Sequence, residues 1–332
     1  MTTTQQWVLT SRPNGVPTQD NFRLESVDLA DLAEGQILVA NTHLSVDPYM
    51  RGRMNDTESY IPPFRIDEPL TGTAIGTVVE TRSSAFAVGD TVRHFQGWRT
   101  RAVLKEAEAE RIDTDAAPAE AYLGILGVTG LTAYVGLTAV GEIKEGDVVF
   151  ISGAAGAVGS AAGQIAKQLG ASRVIGSAGS REKIDYVEGL GFDAAFNYKD
   201  GDVTGQLGEA APDGVDLYFD NVGGDHLEAA LDHINLFGRI AMCGAIAQYN
   251  SSEPTPGPRN LGNAIGKCAT LRGFTVGQYN HLAAEFQEKI APLVLDGSIT
   301  YDTTTRDGIE SAPGAFLELF EGANTGKMIV TL

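Results

Sequence analysis

The amino-acid sequence predicts an α/β protein, a small β domain joined to a doubly wound parallel sheet. Three observations predict it. From residue 36 to about 104 the chain reads as short strands broken by frequent turns, the texture of a barrel-like β domain. After roughly residue 126 strands and helices alternate, which builds a parallel sheet with helices on both faces. Within that second stretch, Val148-Val149-Phe150-Ile151 is followed by the small-residue turn Ser152-Gly153-Ala154-Ala155-Gly156 and then by a helix candidate.

Residues 36–40 and 76–80 are strands rich in β-branched and apolar residues, and 87–92 holds a Gly-Asp turn of the hairpin type. A helix is expected over 131–138, and after the strand at 148–151 another over 161–169. Strands follow at 173–176, 216–220 and 239–244, with helices at 227–234 and 282–295. The Pro-rich stretch 253–258 is a loop, because proline donates no backbone N–H to helix or sheet. Residues 326–332 form a strand able to return to the β domain.

The length of 332 residues suits two domains, and 43% hydrophobic with 20% charged residues describes a folded, soluble chain. The net charge of −19, from 24 basic and 43 acidic residues, argues against nucleic acid or an anionic membrane surface as partner. Cys243 and Cys268 are the only cysteines, too few for a disulfide scaffold or a zinc knuckle. Residues 1–7 lack the charged and apolar stretches of a secretory signal, and no apolar run reaches bilayer length. A reducing cytoplasm is the expected compartment.

A Gly/Ala turn that opens a helix lets the backbone approach a pyrophosphate, whose charge the first helical amides stabilise. Ala154 stands where the first glycine of such a fingerprint usually falls, and Gly156 and Gly159 fill the other two places. The same turn also serves plain strand–helix packing, and the next strand decides between the two. An NAD site places an acid near that strand's end, to bind the ribose 2′-hydroxyl. Here no acid stands before Glu182, and the turn offers Ser180, Arg181 and Lys183 instead. A hydroxyl with two cations suits a 2′-phosphate, so the cofactor expected is NADPH.

Further segments carry a family resemblance: Val46-Asp47-Pro48-Tyr49-Met50-Arg51, Gly130-Leu131-Thr132-Ala133-Tyr134, Phe196-Asn197-Tyr198-Lys199 and Phe219-Asp220-Asn221-Val222-Gly223-Gly224. Gly238-Arg239-Ile240, Cys243-Gly244-Ala245-Ile246 and Glu321-Gly322-Ala323-Asn324-Thr325-Gly326-Lys327 complete the set. With the fingerprint, this series resembles the zinc-free medium-chain dehydrogenase/reductase family over nearly the whole chain. The branch it is most similar to is the NADPH-dependent alkenal/enone reductases, with prostaglandin reductase, plant double-bond reductases and bacterial curcumin reductase. The resemblance implies a GroES-like β domain over 1–125, completed by 300–332, and an inserted Rossmann domain over 126–299.

Carried onto matching positions, the resemblance implies that Gly156, Ala157, Val158 and Gly159 hold the pyrophosphate. Lys183 and Tyr198, with Ser180 nearby, contact the 2′-phosphate side. Asn221, Cys243, Gly244, Ala245, Ile246, Tyr249, Phe274, Thr275, Val276 and Asn324 line the nicotinamide half. Each residue also has a plainer reading: Asn221 as a helix cap, Cys243 as a small core residue, Phe274 as core packing, Tyr198 as a half-buried strand residue. Some animal relatives carry a tyrosine within the stretch matching 263–268, where this chain has Gly266, so that tyrosine's role does not transfer. A homodimer paired at sheet edges near 270–274 is also implied.

Zinc-dependent relatives use a cysteine in the first barrel loop and a Gly-His-Glu motif. This chain has Asn41-Thr42-His43-Leu44-Ser45 and Gly72-Thr73-Ala74 there, and its five histidines are scattered, so no metal is expected. Without a metal to polarise an isolated carbonyl, hydride addition is easiest at the β-carbon of a conjugated enone or enal, the α-carbon taking a solvent-derived proton. The resulting enolate needs only hydrogen-bond donors. Tyr49 and Tyr249 are the candidate catalytic donors, with Tyr60 and Arg51 beside Tyr49 as substrate-binding candidates. Against this, Tyr49 also suits a pocket wall and Arg51 a structural ion pair. Two other functions remain open at this point: a quinone reductase on the same fold, and a non-catalytic NADPH-binding sensor or scaffold.

Overall fold

The structure, a computed structural model, describes residues 2–332. Its strand-rich N-terminal part forms β1 (Thr3–Leu9), β2 (Phe22–Asp28), β3 (Gln36–Ser45), β4 (Ala74–Thr81), β5 (Thr91–His94), β6 (Arg101–Lys105) and β7 (Ala109–Arg111). Two short helices, α1 (Met50–Arg53) and α2 (Ala119–Leu123), interrupt and follow them. Ile37 and Val39 of β3 face inward with Val78, Val92, Ala102 and Leu104, the one-sided alternation that fixes strand register. The expected Gly-Asp turn lies before β5, where the Asp90 carboxylate accepts the Ala87 amide at 2.8 Å.

The second part alternates as the sequence suggested. It runs α3 (Val128–Val135), β8 (Val148–Ile151), α4 (Ala157–Gln168), β9 (Arg173–Ala178), α5 (Arg181–Gly189), β10 (Ala194–Asn197) and α6 (Val203–Ala210). It continues with β11 (Val215–Asp220), α7 (Gly224–His233), β12 (Ile234–Met242), α8 (Asn263–Gly266), β13 (Thr270–Gly273) and α9 (Ala283–Leu295). The last elements are β14 (Thr303–Asp307), α10 (Ala312–Glu321) and β15 (Lys327–Thr331). The final strand lies antiparallel to β3, Ile329 opposite Ser45, with β14 parallel on its other side.

The chain divides into two compact units, Met1–Leu123 with Thr303–Leu332, and Gly124–Asp302. In the first, Trp98 stacks on Phe22 at 6.1 Å and Phe316 meets both edge-on. In the second, Phe150 stacks on Tyr218 at 4.8 Å and on Phe196 at 5.7 Å, above Leu227, Leu231 and Ile240.

Several boundaries differ from those read in the sequence; the helix expected over 131–138, for one, is α3 at Val128–Val135. Helix α4 starts at Ala157 rather than 161, because the fingerprint residues form its first turn. Helix α7 starts at Gly224, since Gly223 at φ +74° makes the turn that launches it. Strand β12 reaches back to Ile234 through an irregularity at Phe237, whose φ is +62°.

The second unit's sheet is parallel throughout, in the order β10-β9-β8-β11-β12-β13. Strand order reverses between β8 and β11. At such a switch point the connections leave in opposite directions and open a crevice at the carboxyl ends of the strands.

Candidate active site

The turn after β8 is built on Gly153, whose φ of +61° lies in the left-handed region. That glycine stands one residue before the position assigned to the fingerprint's first glycine, which is why Ala154 is tolerated there. The Ala154 amide donates to the Ser177 carbonyl at the end of β9, at 2.9 Å. Gly159 sits so close to the turn that a Cβ would meet the Gly153 carbonyl and stand 2.8 Å from Ala154 Cα. Helix α4 has Gly156 as N-cap and no side chain capping it, so its first amides remain available to an anion.

After β9, Ser180 caps α5 and accepts the Lys183 amide at 3.3 Å. Burial lowers the Lys183 ammonium, and the charge of Lys199 lowers it further. Tyr198 follows β10, and a Cβ at Gly179 would stand 2.9 Å from its hydroxyl. Its ring also meets His226 edge-on at 5.3 Å. Arg181 behaves differently from the sequence expectation. It lies on the exposed face of α5, paired with Asp185 at 2.5 Å and near Glu188. Lys199 is the second cation at this place. The signal for it was its position beside Tyr198 in the quoted segment.

At the switch point a buried knot joins β8 to β11. Tyr218 donates its hydroxyl proton to Asp220 Oδ1, 2.6 Å away, and lies 2.9 Å from Ser152 Oγ. The same Asp220 oxygen accepts the Val222 and Gly223 amides at 2.9 and 2.7 Å. Asn221 donates its amide to Ser152 Oγ at 3.0 Å and its side chain to the Ser152 carbonyl at 2.8 Å, so it bridges two turns and does not cap α7. The Asp220 carbonyl in turn accepts the Cys243 and Gly244 amides at 2.8 and 3.0 Å, fixing the segment after β12.

Within that segment Tyr249 Oη accepts the Ala245 amide at 3.3 Å, which leaves its own proton to give. Burial raises Tyr249 and pushes the half-buried Cys243 thiol up to about 12, so neither ionises near neutrality. Ile246 donates its amide to the Asn221 carbonyl at 3.3 Å. Phe274 follows β13, edge-on to Phe219 and Tyr279 at 6.4 Å, and Val276 packs in the same cluster; Thr275 stands between them. All the sequence-assigned residues of this unit therefore lie at or just beyond the carboxyl ends of its parallel strands.

In the first unit Tyr49 is half-buried immediately before α1. Burial raises its pKa first and the Asp47 charge second, while Arg53 pulls it the other way. Arg53 lies over the Phe64 ring at 3.9 Å and donates to the Pro62 and Thr71 carbonyls; the sequence reading missed it. Arg51 is buried, its guanidinium donating to Asn55 Oδ1 and the Gly15 carbonyl, each at 2.7 Å. Tyr60 is 67% exposed. Asn324 belongs to this unit and donates to the Gly326 carbonyl at 2.9 Å.

Both ring nitrogens of His94 are engaged. Nδ1 accepts the Gln96 amide at 3.0 Å, so Nε2 carries the proton given to Asn41 Oδ1 at 2.8 Å. Burial, helped by Arg99, lowers His94 to about 3. Among the described residues no three His, Cys, Asp or Glu side chains gather as a metal site.

Residues 5–112 match the family described as N-terminal domain of oxidoreductase, and residues 157–295 the one described as zinc-binding dehydrogenase. The chain is 39% identical to the NADPH-dependent curcumin reductase of Escherichia coli (strain K12), over 98% of this chain and 96% of the relative. It is 40% identical to the 2-alkenal reductase (NADP(+)-dependent) of Nicotiana tabacum, with the same coverage of 98% and 96%. Its fold matches CurA from Vibrio vulnificus in complex with NADPH with a TM-score of 0.93, at 38% identity over 98% of each chain.

The knot makes a pH prediction. Burial holds the Asp220 carboxyl above the ordinary range, against its hydrogen bonds, and Oδ2 is buried without a partner. The folded state therefore binds this proton more tightly than the unfolded one. Its stabilisation is full at low pH and is lost as pH rises through the folded-state pKa. Asp220→Asn, with no proton to lose, should gain stability relative to the parent as pH rises above about 4 in urea unfolding. A stability difference that stays constant as pH rises contradicts this.

Proposed function

The chain belongs to the NADPH-dependent alkenal/enone reductase branch of the zinc-free medium-chain dehydrogenase/reductase family, and we propose that it reduces the carbon–carbon double bond of α,β-unsaturated aldehydes and ketones. One observation carries the reading. The uncapped N-terminus of α4 stands at the switch point, and the lysines Lys183 and Lys199, with Ser180 and Tyr198, gather at the ends of the two neighbouring strands. That donor set fits NADPH. Backbone amides suit a pyrophosphate, and two ammonium groups close enough to depress one of them suit a dianion.

When bound, NADPH supplies the hydride that reaches the β-carbon of the substrate. The residues of this chain do the rest. Gly156, Ala157, Val158 and Gly159 hold the pyrophosphate, and Asn221, the segment 243–246, Phe274, Thr275, Val276 and Asn324 orient the nicotinamide half. Tyr49 or Tyr249 donates a hydrogen bond to the carbonyl oxygen as it becomes an enolate. Their raised pKa values keep both protonated at neutral pH, so either can serve as donor and neither as base. Arg51 braces the turn that carries Tyr49, and Tyr60 contacts the substrate. The α-carbon takes its proton from solvent. No zinc is needed, because Thr73 and Ala74 stand where zinc-dependent relatives carry His-Glu and no cysteine precedes Cys243.

The protein works as a homodimer in the reducing cytoplasm. The edge strand β13 and the exposed Phe237 and Ile265, at 67% and 83% exposure, support pairing through the parallel-sheet unit. Both cysteines are free.

The reaction is tested by isotope position. With C4-deuterated NADPH and an enone, deuterium should appear at the β-carbon, a solvent proton at the α-carbon, and the carbonyl should survive. Deuterium at the carbonyl carbon of an allylic alcohol would sink the assignment. For the cofactor, Lys183→Ala should weaken NADPH binding by about 1.5–3 kcal/mol and leave NADH nearly unchanged. Equal loss for both, in calorimetric titrations, removes Lys183 from the 2′-phosphate.

A further inference from the structure

Lys327 opens β15 and is only 4% exposed. A buried ammonium costs free energy unless it is paired and hydrogen-bonded, and an apolar side chain of similar volume often does as well or better. Its place therefore asks for a reason beyond packing. Nζ donates to the Val46 and Met328 carbonyls, both at 2.9 Å, and stands 3.1 Å from Asp47 Oδ1. The other Asp47 oxygen accepts the Ser45 hydroxyl at 2.5 Å. Apart from its own strand, the ammonium thus touches only the loop that leads from β3 into Tyr49.

The charge of Asp47 is felt at the tyrosine hydroxyl. Arg53, held by the Pro62 and Thr71 carbonyls, acts on the same hydroxyl with the opposite sign. The Tyr49 hydroxyl thus feels both a carboxylate and a guanidinium, and the carboxylate has its own counterion in Lys327.

We propose that Lys327 is the positioning residue for Tyr49: tying the Val46 carbonyl and the Asp47 carboxylate to β15, it fixes the loop that carries the tyrosine and neutralises the acid next to it. The assignment rests on Tyr49 being a hydrogen-bond donor in enone reduction. It adds a residue that touches neither substrate nor cofactor.

A double-mutant cycle tests it, with kcat for reduction of 4-phenyl-3-buten-2-one and NADPH affinity measured by fluorescence. Lys327→Met should lower kcat between about tenfold and a hundredfold, the scale of a misplaced catalytic group. NADPH affinity should stay within about twofold, and Lys327→Met should add less than about twofold to the loss in a Tyr49→Phe background. Asp47→Asn keeps the size and removes the ion pair together with the charge beside Tyr49. It covers the case in which Lys327→Met does not fold, and should likewise cost activity beside Tyr49 and none beside Phe. Losses that multiply, or a Lys327→Met enzyme with parental kcat, overturn the proposal and leave Tyr49 as donor. A Tyr49→Phe enzyme with parental kcat overturns the donor role and this assignment with it.

Discussion

The carboxylate of Asp220, 1% exposed at the end of β11, accepts the Tyr218 hydroxyl and two successive backbone amides on one oxygen. Through Ser152 it reaches the end of β8, and its carbonyl fixes the first residues after β12. Three strand ends are thus held in one hydrogen-bonded knot. One oxygen is fully engaged and the other, Oδ2, is buried without a partner, so the knot is rigid on one side and costly on the other. The knot sits where the strand order reverses, so the turns it organises are those that face the crevice. The fingerprint turn, Asn221 and the segment 243–249 keep their mutual geometry because of it.

Electrostatics sharpen that scaffold locally, against the field of the whole chain. With a net charge of −19, an anionic cofactor is repelled at long range and must be captured at short range. Helix α4 presents amides with no competing side chain, and Lys183 and Lys199 stand together at the neighbouring strand ends. In the other unit charges of both signs act on one phenol: Asp47, itself paired with Lys327, and Arg53. Burial acts oppositely at the two places: it lowers the Lys183 ammonium and raises the phenols. The tyrosines stay protonated and the thiol of Cys243 stays unreactive.

Much of this was legible in the chain. Periodicity and Gly/Ala spacing located the parallel sheet and its fingerprint, since both follow from local chemistry. Sequence spacing could not say which cations gather beside Tyr198. Arg181 and Lys183 share a turn, but Asp185, one helical turn on, captures the arginine, while Lys199 arrives from a different strand. The left-handed position fell on Gly153 because turn geometry, rather than motif register, decides where φ is positive. Tyr218 and Asp220 read as strand residues and Ser152 as part of a turn; their knot exists only once β8 and β11 are adjacent. Lys327 was quoted as part of a motif, yet its partners lie some 280 residues away in sequence, at Val46 and Asp47. Long-range pairings of that kind leave no local signature.

In the proposed function, the turns tied by Asp220 and the N-terminus of α4 act as one cofactor cradle. Amide hydrogen exchange with and without NADPH tests it most directly, because binding that closes on those amides must slow their exchange. The account requires protection to appear together at residues 156–160, at Val222 and Gly223, and over 243–249. Saturating NADPH that leaves these three stretches exchanging as in the free protein would contradict it.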